Sequence, residues 1–313
     1  MSSLVVELPG LLTTVQDLGR PGFGPMGVSP SGAADPVSLR LGNLLVGNEP
    51  GAAGLEMMLV GGTFAFPEGG AIAITGADFD ARIDGCPAET WALHRLSPGA
   101  KLSLGATKDF ARSYLVIAGG IQVPPFLGSA STHLLSGLGG HEGRALRKGD
   151  ILQIGTPKPR ILPRRIAESV LSSLRPGPFF RVTDGAQIEA FSEEVKRRLF
   201  QSMFRVSEES DRTGLRLEGP KLGSNLRGEM ITEGVPLGAI QVTPSGQAII
   251  LFVEQQTTGG YPKIANVTGV DLHRLGQLRP RMEIRFERVS LAVARSLWID
   301  QEQLMNSPGR LFA

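Results

Sequence analysis

The chain has 313 residues, of which 41% are hydrophobic and 20% are charged, as is typical of folded globular proteins. This length is large for one hydrophobic core, so two domains are expected, over residues 1–160 and 161–313. A net charge of +2 excludes a general attraction to nucleic acid or to anionic membranes. The N-terminus has no basic leader and no apolar run approaches the roughly 20 residues that span a bilayer, so a cytoplasmic protein is expected.

The first half of the chain predicts short strands separated by turns, because 41 glycines and 22 prolines are dispersed among apolar runs. One helix interrupts these strands, with Asp35 as its cap, Pro36 in its first turn and Gly47-Asn48 at its end. The pattern indicates a mostly β fold, as a barrel or sandwich. The strands are predicted at Leu4–Leu8, Thr63–Phe66, Ala71–Thr75, Lys101–Leu104, Tyr114–Ala118 and Asp150–Ile154.

The second half begins after a connection over residues 156–178, which contains five prolines and four arginines. A helix is then expected from a capping box at Asp184 through Leu199. Another helix is expected after the cap Ser290. The strands of this half are predicted at Ile240–Val242, Ile249–Val253 and Met282–Phe286.

Several kinds of chemistry have no sequence signal. The single cysteine, Cys86, excludes an internal disulfide and a cysteine metal cluster. No metal-ligand spacing connects the four histidines, which are His94, His133, His141 and His273, so we predict no metal site. A GxxxxGK[ST] phosphate loop, a GxSxG nucleophile elbow and a Met-Lys-Met context for biotin are all lacking, so no attached biotin is expected.

The densest polar segment follows the predicted strand at Ile249–Val253. A carboxylate, two amides and two hydroxyls stand there before a glycine pair that can aim backbone N–H groups at an anion. At least one glycine of the pair is then expected to have positive φ. A polar loop closed by a Gly-Gly turn is the alternative. The segment consists of Glu254, Gln255, Gln256, Thr257, Thr258, Gly259, Gly260, Tyr261 and Pro262.

A charged segment over residues 207–219 is a second candidate. Arg212 and Arg216 can hold a carboxylate or phosphate in bidentate fashion, and Asp211 can orient one of them. A solvated strand edge is the alternative, and it is the commoner outcome for such a run of charges.

Two loops of the first half are further candidates. One is the glycine-rich loop over residues 15–35, which carries Asp17 and Arg20, and long loops of this kind are often functional. The other contains Ser131 and Thr132, whose hydroxyls can bind an anion. The structural alternatives are a turn held by Asp17 and a helix capped by Asp35.

These segments, in this order, resemble the family of 5-oxoprolinase C subunits, which is also labelled allophanate hydrolase subunit 2. The matching motifs are QDLGRPG (16–22), GVSPSGAAD (27–35), NLLVGN (43–48), GLE (54–56), DRTGLRLEG (211–219) and QTTGGYPKIA (256–265). The last motif is the most specific. The resemblance runs from about Leu4 to Val289.

The resemblance implies two cyclophilin-like β-barrels with a few short helices, and a heteromer with homologues of the B and A subunits. That complex uses ATP to open a cyclic amide, the lactam of 5-oxoproline, to glutamate, and ATP is bound by the complex. Members related to urea carboxylase instead transfer a carboxyl group from biotin, and one member antagonises a sporulation kinase inhibitor. Carboxyltransfer and a non-enzymatic regulatory role are therefore the alternatives.

For such a reaction we expect Glu254 to act as acid or base, and Thr257, Thr258, Gly259 and Gly260 to stabilise the developing oxyanion. The predicted substrate-binding residues are Asp17, Arg20, Ser131, Thr132, Asp211, Arg212, Arg216, Gln256 and Tyr261, with Arg212 or Arg216 holding the substrate carboxylate. At three positions the chain departs from the usual family pattern. The usual Asp-Arg is here Glu254-Gln255, an Arg is replaced by Ala130, and the usual Pro-Gly is here Pro280-Arg281.

Overall fold

The computed structural model describes residues 2–159, 162, 164–175, 177–224 and 230–313. It contains two compact units. Unit 1 comprises Met1–Arg20, Ser31–Leu174 and Ser307–Ala313, and unit 2 comprises Pro21–Pro30 and Arg175–Asn306. The predicted domain boundary between positions 160 and 161 lies outside the described residues. Within the described ranges, no helix is long and apolar enough to cross a membrane.

Unit 1 is built from short strands that form a seven-stranded sheet and a five-stranded sheet. The strands are β1 (Ser3–Leu8), β2 (Leu12–Gln16), β3 (Gly54–Met58), β4 (Thr63–Phe66), β5 (Gly70–Gly76), β6 (Arg82–Ile83), β7 (Cys86–Pro87), β8 (Leu93–Leu96), β9 (Ala100–Ser103), β10 (Arg112–Ile117), β11 (Ile121–Gln122) and β12 (Ile151–Ile154). The sheet orders are β11-β12-β1-β4-β9-β6-β7 and β2-β3-β10-β5-β8. Alternate residues of these strands, including Leu4, Phe64 and Leu115, are buried in one hydrophobic core.

The helices α1 (Pro36–Leu45) and α2 (Glu168–Leu174) belong to unit 1. The Asp35 carboxylate accepts a hydrogen bond from the Ser38 N–H at 2.9 Å, and Pro36 occupies the first turn of α1. The helix start predicted from the sequence is therefore confirmed, since the cap and the proline act as expected.

Unit 2 is a closed barrel with a small two-stranded ribbon, β16–β19. Its strands are β13 (Phe179–Asp184), β14 (Phe204–Val206), β15 (Gly214–Glu218), β16 (Glu233–Gly234), β17 (Ala239–Val242), β18 (Ala248–Leu251), β19 (Thr258–Gly259), β20 (Lys263–Val267) and β21 (Glu283–Arg288). The barrel order is β13-β20-β17-β18-β15-β14-β21. The expected mostly β fold is confirmed.

The helices of unit 2 are α3 (Glu193–Gln201), α4 (Gly269–Leu275) and α5 (Leu291–Met305), and α6 (Pro308–Leu311) follows in unit 1. Ser290 caps α5 as predicted, since its hydroxyl accepts from the Val293 N–H. The predicted capping box at Asp184 is wrong. Ser192 caps α3, and Asp184 ends strand β13 opposite Ala265 of β20. Strand pairing in the barrel therefore overrides the local helix signal.

Candidate functional site

The carboxylate of Asp17 in unit 1 is the centre of a network that joins two loops. The Ser129 hydroxyl and the Ala130 N–H each donate to it at 2.6 Å, and the Ser131 hydroxyl donates at 2.5 Å. The Gly19 N–H donates at 2.7 Å from within the same turn. Asp17 therefore fixes the glycine-rich loop to residues 129–131.

The other predicted residues of unit 1 lie in the same network. Arg20 is 2% exposed, and its guanidinium donates to the Ser131 carbonyl and, at 3.3 Å, to the Phe126 carbonyl. The Thr132 hydroxyl donates to the Val15 carbonyl at 3.0 Å.

The unit 1 polar cluster is the name we give to Asp17, Arg20, Ser129, Ser131 and Thr132. Each of its hydroxyls donates its hydrogen to a protein oxygen. This arrangement corresponds to the structural alternative for these loops, because an anion needs donors that the protein has not already used.

A second group of polar side chains lies on the wall of the barrel in unit 2. Arg216 of β15 is opposite Ile249 of β18, and Ile249 is opposite Gln241 of β17. Residues directly opposite in antiparallel strands point to the same face. The adjacent residues Leu215 and Ile250 point to the other face, where they are 3% and 0% exposed in the core.

This face carries a cavity of about 220 Å³, which we call the barrel cavity. It brings together three of the predicted substrate-binding residues, Arg216, Gln256 and Tyr261. The guanidinium of Arg216 has no hydrogen-bond or ion-pair partner among the residues that the structure describes. The lining consists of Thr213, Gly214, Arg216, Gln241, Thr243, Ile249, Leu251, Gln256 and Tyr261.

Arg212 and Glu254 bind each other instead of lining the cavity. Their side chains are 7% and 2% exposed, and the Arg212 Nε donates to a carboxylate oxygen of Glu254. Asp211 does not orient either arginine through a described contact. Its Oδ1 accepts from the Thr213 N–H and hydroxyl at 2.7 and 2.5 Å, and from the Gly214 N–H at 3.1 Å. Asp211 therefore holds a turn, as Asp17 does in unit 1.

Within the segment from Thr257 to Gly260, Thr258–Gly259 is the strand β19 of the ribbon. Thr258 lies opposite Gly234, Gly259 lies opposite Glu233, and the Val235 N–H donates to the Thr257 carbonyl at 3.1 Å. Hydrogen-bonded pairs alternate along an antiparallel ladder, so this contact assigns the Gly259 N–H to the partner strand. Thr258 remains exposed.

The glycine pair does not have the expected backbone conformation. Neither Gly259 nor Gly260 has positive φ, so that expectation is wrong. Gly259 instead lies close to two side-chain amides, because a Cβ atom there would lie 2.5 Å from the Nε2 of Gln241 and 3.2 Å from the Nε2 of Gln256, and these side chains would have to shift. The nearest atom to a Cβ at Gly260 would be the Met230 carbonyl oxygen at 3.5 Å, an ordinary contact.

A buried cation ties the ribbon to the barrel next to the cavity. Lys263 of β20 lies opposite Gln241 and its ammonium binds the Glu233 carboxylate, which also accepts from the Gln187 Nε2 at 2.7 Å. The hydrogen bond from Lys263, followed by that from Gln187, lowers the pKa of Glu233 below its ordinary value. Glu233 is therefore held ionised at neutral pH.

Gln241 is a buried polar residue of the cavity that the sequence analysis missed. It is 1% exposed and lies in the strand Ala239–Val242, whose other residues are apolar. A single amide within an apolar strand was the available signal, since a buried polar side chain needs a partner.

The chain belongs to the carboxyltransferase family. The family described as carboxyltransferase domain, subdomain A and B, matches residues 26–288, a range that includes every residue lining the barrel cavity. The match also includes Ser129, Ser131 and Thr132 of the unit 1 polar cluster.

Two curated relatives and one solved structure give closer detail. The chain is 40% identical over 299 residues to the C subunit of 5-oxoprolinase from Escherichia coli (strain K12), covering 94% of each chain. It is 36% identical over 284 residues to the C subunit of 5-oxoprolinase from Haemophilus influenzae, covering 91% of this chain and 90% of that protein. The crystal structure of the K. lactis urea amidolyase superposes with a TM-score of 0.91 at 31% identity. That match covers 97% of this chain and 20% of the other, so the chain spans about a fifth of that protein's length.

Proposed function

We propose that this chain is the C subunit of a 5-oxoprolinase complex, which opens the lactam of 5-oxoproline to glutamate with hydrolysis of ATP. The observation that carries the proposal is the 40% identity to the C subunit of the Escherichia coli 5-oxoprolinase over 94% of both chains. A match of this extent leaves little of either protein unaligned. Because that relative is named as one subunit of its enzyme, the match supports an assembly with other chains, for which we propose homologues of the A and B subunits.

The barrel cavity is the proposed substrate site, and its chemistry matches the substrate. 5-Oxoproline has one carboxylate and one cyclic amide, and the cavity offers one guanidinium and two side-chain amides. Arg216 binds the carboxylate, because a planar guanidinium forms two parallel hydrogen bonds with it. No described ion pair has to be broken first. Gln256 and Tyr261 complete the wall around the ring.

Charge develops on the amide oxygen when the lactam carbon is attacked, and donors beside the cavity can stabilise it. We assign this role to the backbone N–H of Gly260 and to one of the Thr257 and Thr258 hydroxyls, since neighbouring residues of an extended segment face opposite sides. Glu254 is paired with Arg212, so we assign that pair to holding the segment in place and not to proton transfer.

ATP is the second reactant of this reaction, and the described residues of the cavity do not fit it. A volume of about 220 Å³ with one lining cation suits a small monocarboxylate and not a triphosphate. We therefore propose that ATP is bound elsewhere in the complex. No step on this chain is assigned to it.

The test is reconstitution. The chain is co-expressed with homologues of the A and B subunits, the complex is isolated by size-exclusion chromatography, and ATP hydrolysis is measured with and without 5-oxoproline. We expect hydrolysis to depend on 5-oxoproline and to require the assembled complex. A complex that shows no response to 5-oxoproline contradicts the proposed substrate, and full turnover by the isolated chain contradicts the need for partners.

Carboxyltransfer is the second candidate, and the TM-score of 0.91 to the K. lactis urea amidolyase favours it. That reaction needs a biotin carrier on another domain or chain. The same preparation distinguishes the two candidates, since avidin blocks biotin-dependent turnover and leaves a biotin-independent lactamase active. Urea-dependent, avidin-sensitive ATP hydrolysis would support this second function.

A further inference from the structure

Gln241 is a buried amide to which the roles above give no function. It is 1% exposed and lines the barrel cavity. Its Nε2 lies 3.5 Å from the carbonyl oxygen of Tyr261, the limit of a hydrogen bond. Its Oε1 has no hydrogen-bond partner within the part of the chain that the structure describes. Because a polar side chain that is almost fully buried usually has protein partners, an amide oxygen without one on the lining of a cavity is available to a ligand.

The side chain of Gln241 is packed against the ribbon and beside strand β20. The ribbon passes so close that a Cβ atom at Gly259 would lie 2.5 Å from the Gln241 Nε2. This Cβ position is also 3.2 Å from the Nε2 of Gln256, so the side-chain amides of Gln241 and Gln256 both lie next to Gly259. The neighbouring strand residue Lys263 is itself tied down by Glu233. A buried side chain has less conformational freedom to lose on binding than an exposed one.

The chemistry of a glutamine side chain defines what it can recognise here. Its amide presents one C=O acceptor and N–H donors, and the contact with Tyr261 uses one N–H. The C=O and the N–H on the same side of the C–N bond form one edge, which is complementary to an edge that has an N–H beside a C=O. A lactam has this edge because its ring forces the amide to be cis, whereas an ordinary trans peptide bond presents the two groups on opposite sides.

The strand register places this edge at a fixed distance from the cation. Arg216 and Gln241 are separated by one strand, on which Ile249 lies between them. Their Cα atoms are therefore about 10 Å apart, twice the spacing of neighbouring strands. Both side chains are long, so their polar ends can converge on one small molecule that carries a carboxylate next to a cis amide.

We propose that Gln241 is a specificity-determining residue that recognises the cis-amide edge of the substrate, while Arg216 recognises its carboxylate. The inference deepens the proposed function and rests on it. It defines the ligand class as small carboxylic acids with a ring amide. Arg216 selects against neutral cis amides, and Gln241 selects against carboxylates that have no amide.

Three probes of similar ring size separate these two contacts. 5-Oxoproline has both groups, cyclopentanecarboxylate has only the carboxylate, and 2-pyrrolidinone has only the lactam. Their dissociation constants are measured by ligand-observed NMR titration of the full chain, alone and in complex with its B subunit homologue. We expect the wild-type chain to bind 5-oxoproline tightest of the three.

The informative variant is Gln241→Met, which keeps the length of the side chain and removes both hydrogen-bonding groups. We expect this substitution to raise the dissociation constant of 5-oxoproline by roughly 10- to 100-fold and to leave that of cyclopentanecarboxylate unchanged. Gln241→Glu retains the shape of the side chain and adds a negative charge near the substrate carboxylate, so its affinity for 5-oxoproline should also fall. The matched control is Gln247→Met, in the turn between β17 and β18, and its dissociation constants should equal those of the wild type. Melting temperatures confirm that each variant is folded.

The outcomes separate this inference from the proposed function. If Gln241→Met or, should that variant not fold, Gln241→Glu keeps the full preference for 5-oxoproline over cyclopentanecarboxylate, the role of Gln241 is overturned. A wild-type chain that shows no such preference, alone or in complex, also overturns it. Failure of the proposed function has a different signature, in which the preference is present but the complete complex shows no 5-oxoproline-dependent ATP hydrolysis.

Discussion

The unit 1 polar cluster and the barrel cavity contain the same kinds of side chain in opposite states. In the cluster, the Asp17 carboxylate accepts four hydrogen bonds from protein groups and Arg20 donates to two backbone carbonyls. In the cavity, Arg216 has no described partner, and the Gln241 Oε1 has none either.

The difference shows which polar residues hold a fold together and which are available to a ligand. The motifs Asp17-Leu-Gly-Arg and Asp211-Arg-Thr-Gly have similar composition. In both, the aspartate carboxylate accepts a hydrogen bond from the backbone N–H two residues later and so stabilises a turn. The turn accounts for the aspartate in each case. The two regions differ in an arginine of unit 2. Arg216 follows two residues after Gly214, whose N–H donates to Asp211, and Arg216 lines the barrel cavity.

The largest effect is expected from Asp17→Ala in unit 1. The substitution leaves two hydroxyls and two backbone N–H groups without their acceptor, which should lower the free energy of unfolding by roughly 3 to 5 kcal/mol. Urea denaturation measures this loss. The fraction of the variant that remains folded should bind 5-oxoproline with the wild-type affinity. A stable variant that does not bind 5-oxoproline would instead indicate that the cluster is part of the substrate site.

Arg216→Met should show the reverse behaviour. We expect the KM for 5-oxoproline to rise by roughly 10- to 100-fold, since a bidentate charged contact is lost, while the free energy of unfolding changes by less than about 0.5 kcal/mol.

The matched control is Arg212→Met, four residues earlier in the same motif. It leaves the buried Glu254 carboxylate without its partner and should cost roughly 3 to 5 kcal/mol of stability. If the two arginine variants lost stability and affinity in the same proportion, the contrast between a paired and an available arginine would not hold.

The glycine pair gives a smaller and more local comparison. Gly259→Ala puts a methyl group against the Gln241 amide, which should displace the amide and cost one hydrogen bond to the substrate. The affinity for 5-oxoproline should therefore fall by about tenfold. Gly260→Ala has 3.5 Å of space and no positive φ, so its affinity and melting temperature should stay close to wild type. Equal effects in the two variants would argue against a positioning role for Gly259.

The smallest expected effect is a pH dependence in unit 1. The hydrogen bond from Arg144 lowers the pKa of Asp150 from 3.8 to about 2. A carboxyl whose pKa is lowered by folding stabilises the protein above its unfolded pKa, and this contribution disappears as the pH falls from about 4 towards 2. Asp150→Asn should therefore cost about 1 kcal/mol at pH 7. The difference from wild type should shrink as unfolding is measured at lower pH, and a constant difference would contradict this cause.

Local chemistry made much of the fold predictable from the sequence. Asp35 with Pro36, and Ser290, mark helix starts because a cap acts on N–H groups two or three residues away. Asp184 was misjudged because its strand is fixed by pairing with β20 and β21, which are distant in the chain.

The candidate site was only partly predictable for the same reason. Arg216, Gln256 and Tyr261 were found through motifs, but the pairing of Arg212 with Glu254 depends on two segments that are 42 residues apart. Gln241 stands alone in an apolar strand, and its importance follows only from the register that places it beside Ile249 and near Gly259. The close approach of Gly259 to the Gln241 amide could not be seen without that register.

A crystal structure of the complex with 5-oxoproline bound is the most direct test of the central claim, that the barrel cavity and not the unit 1 polar cluster is the substrate site. We predict the substrate carboxylate within about 3 Å of the Arg216 guanidinium, with the lactam edge against the Gln241 amide. A ligand that occupies the loops around Asp17 and Arg20, with the barrel cavity empty, would contradict the claim.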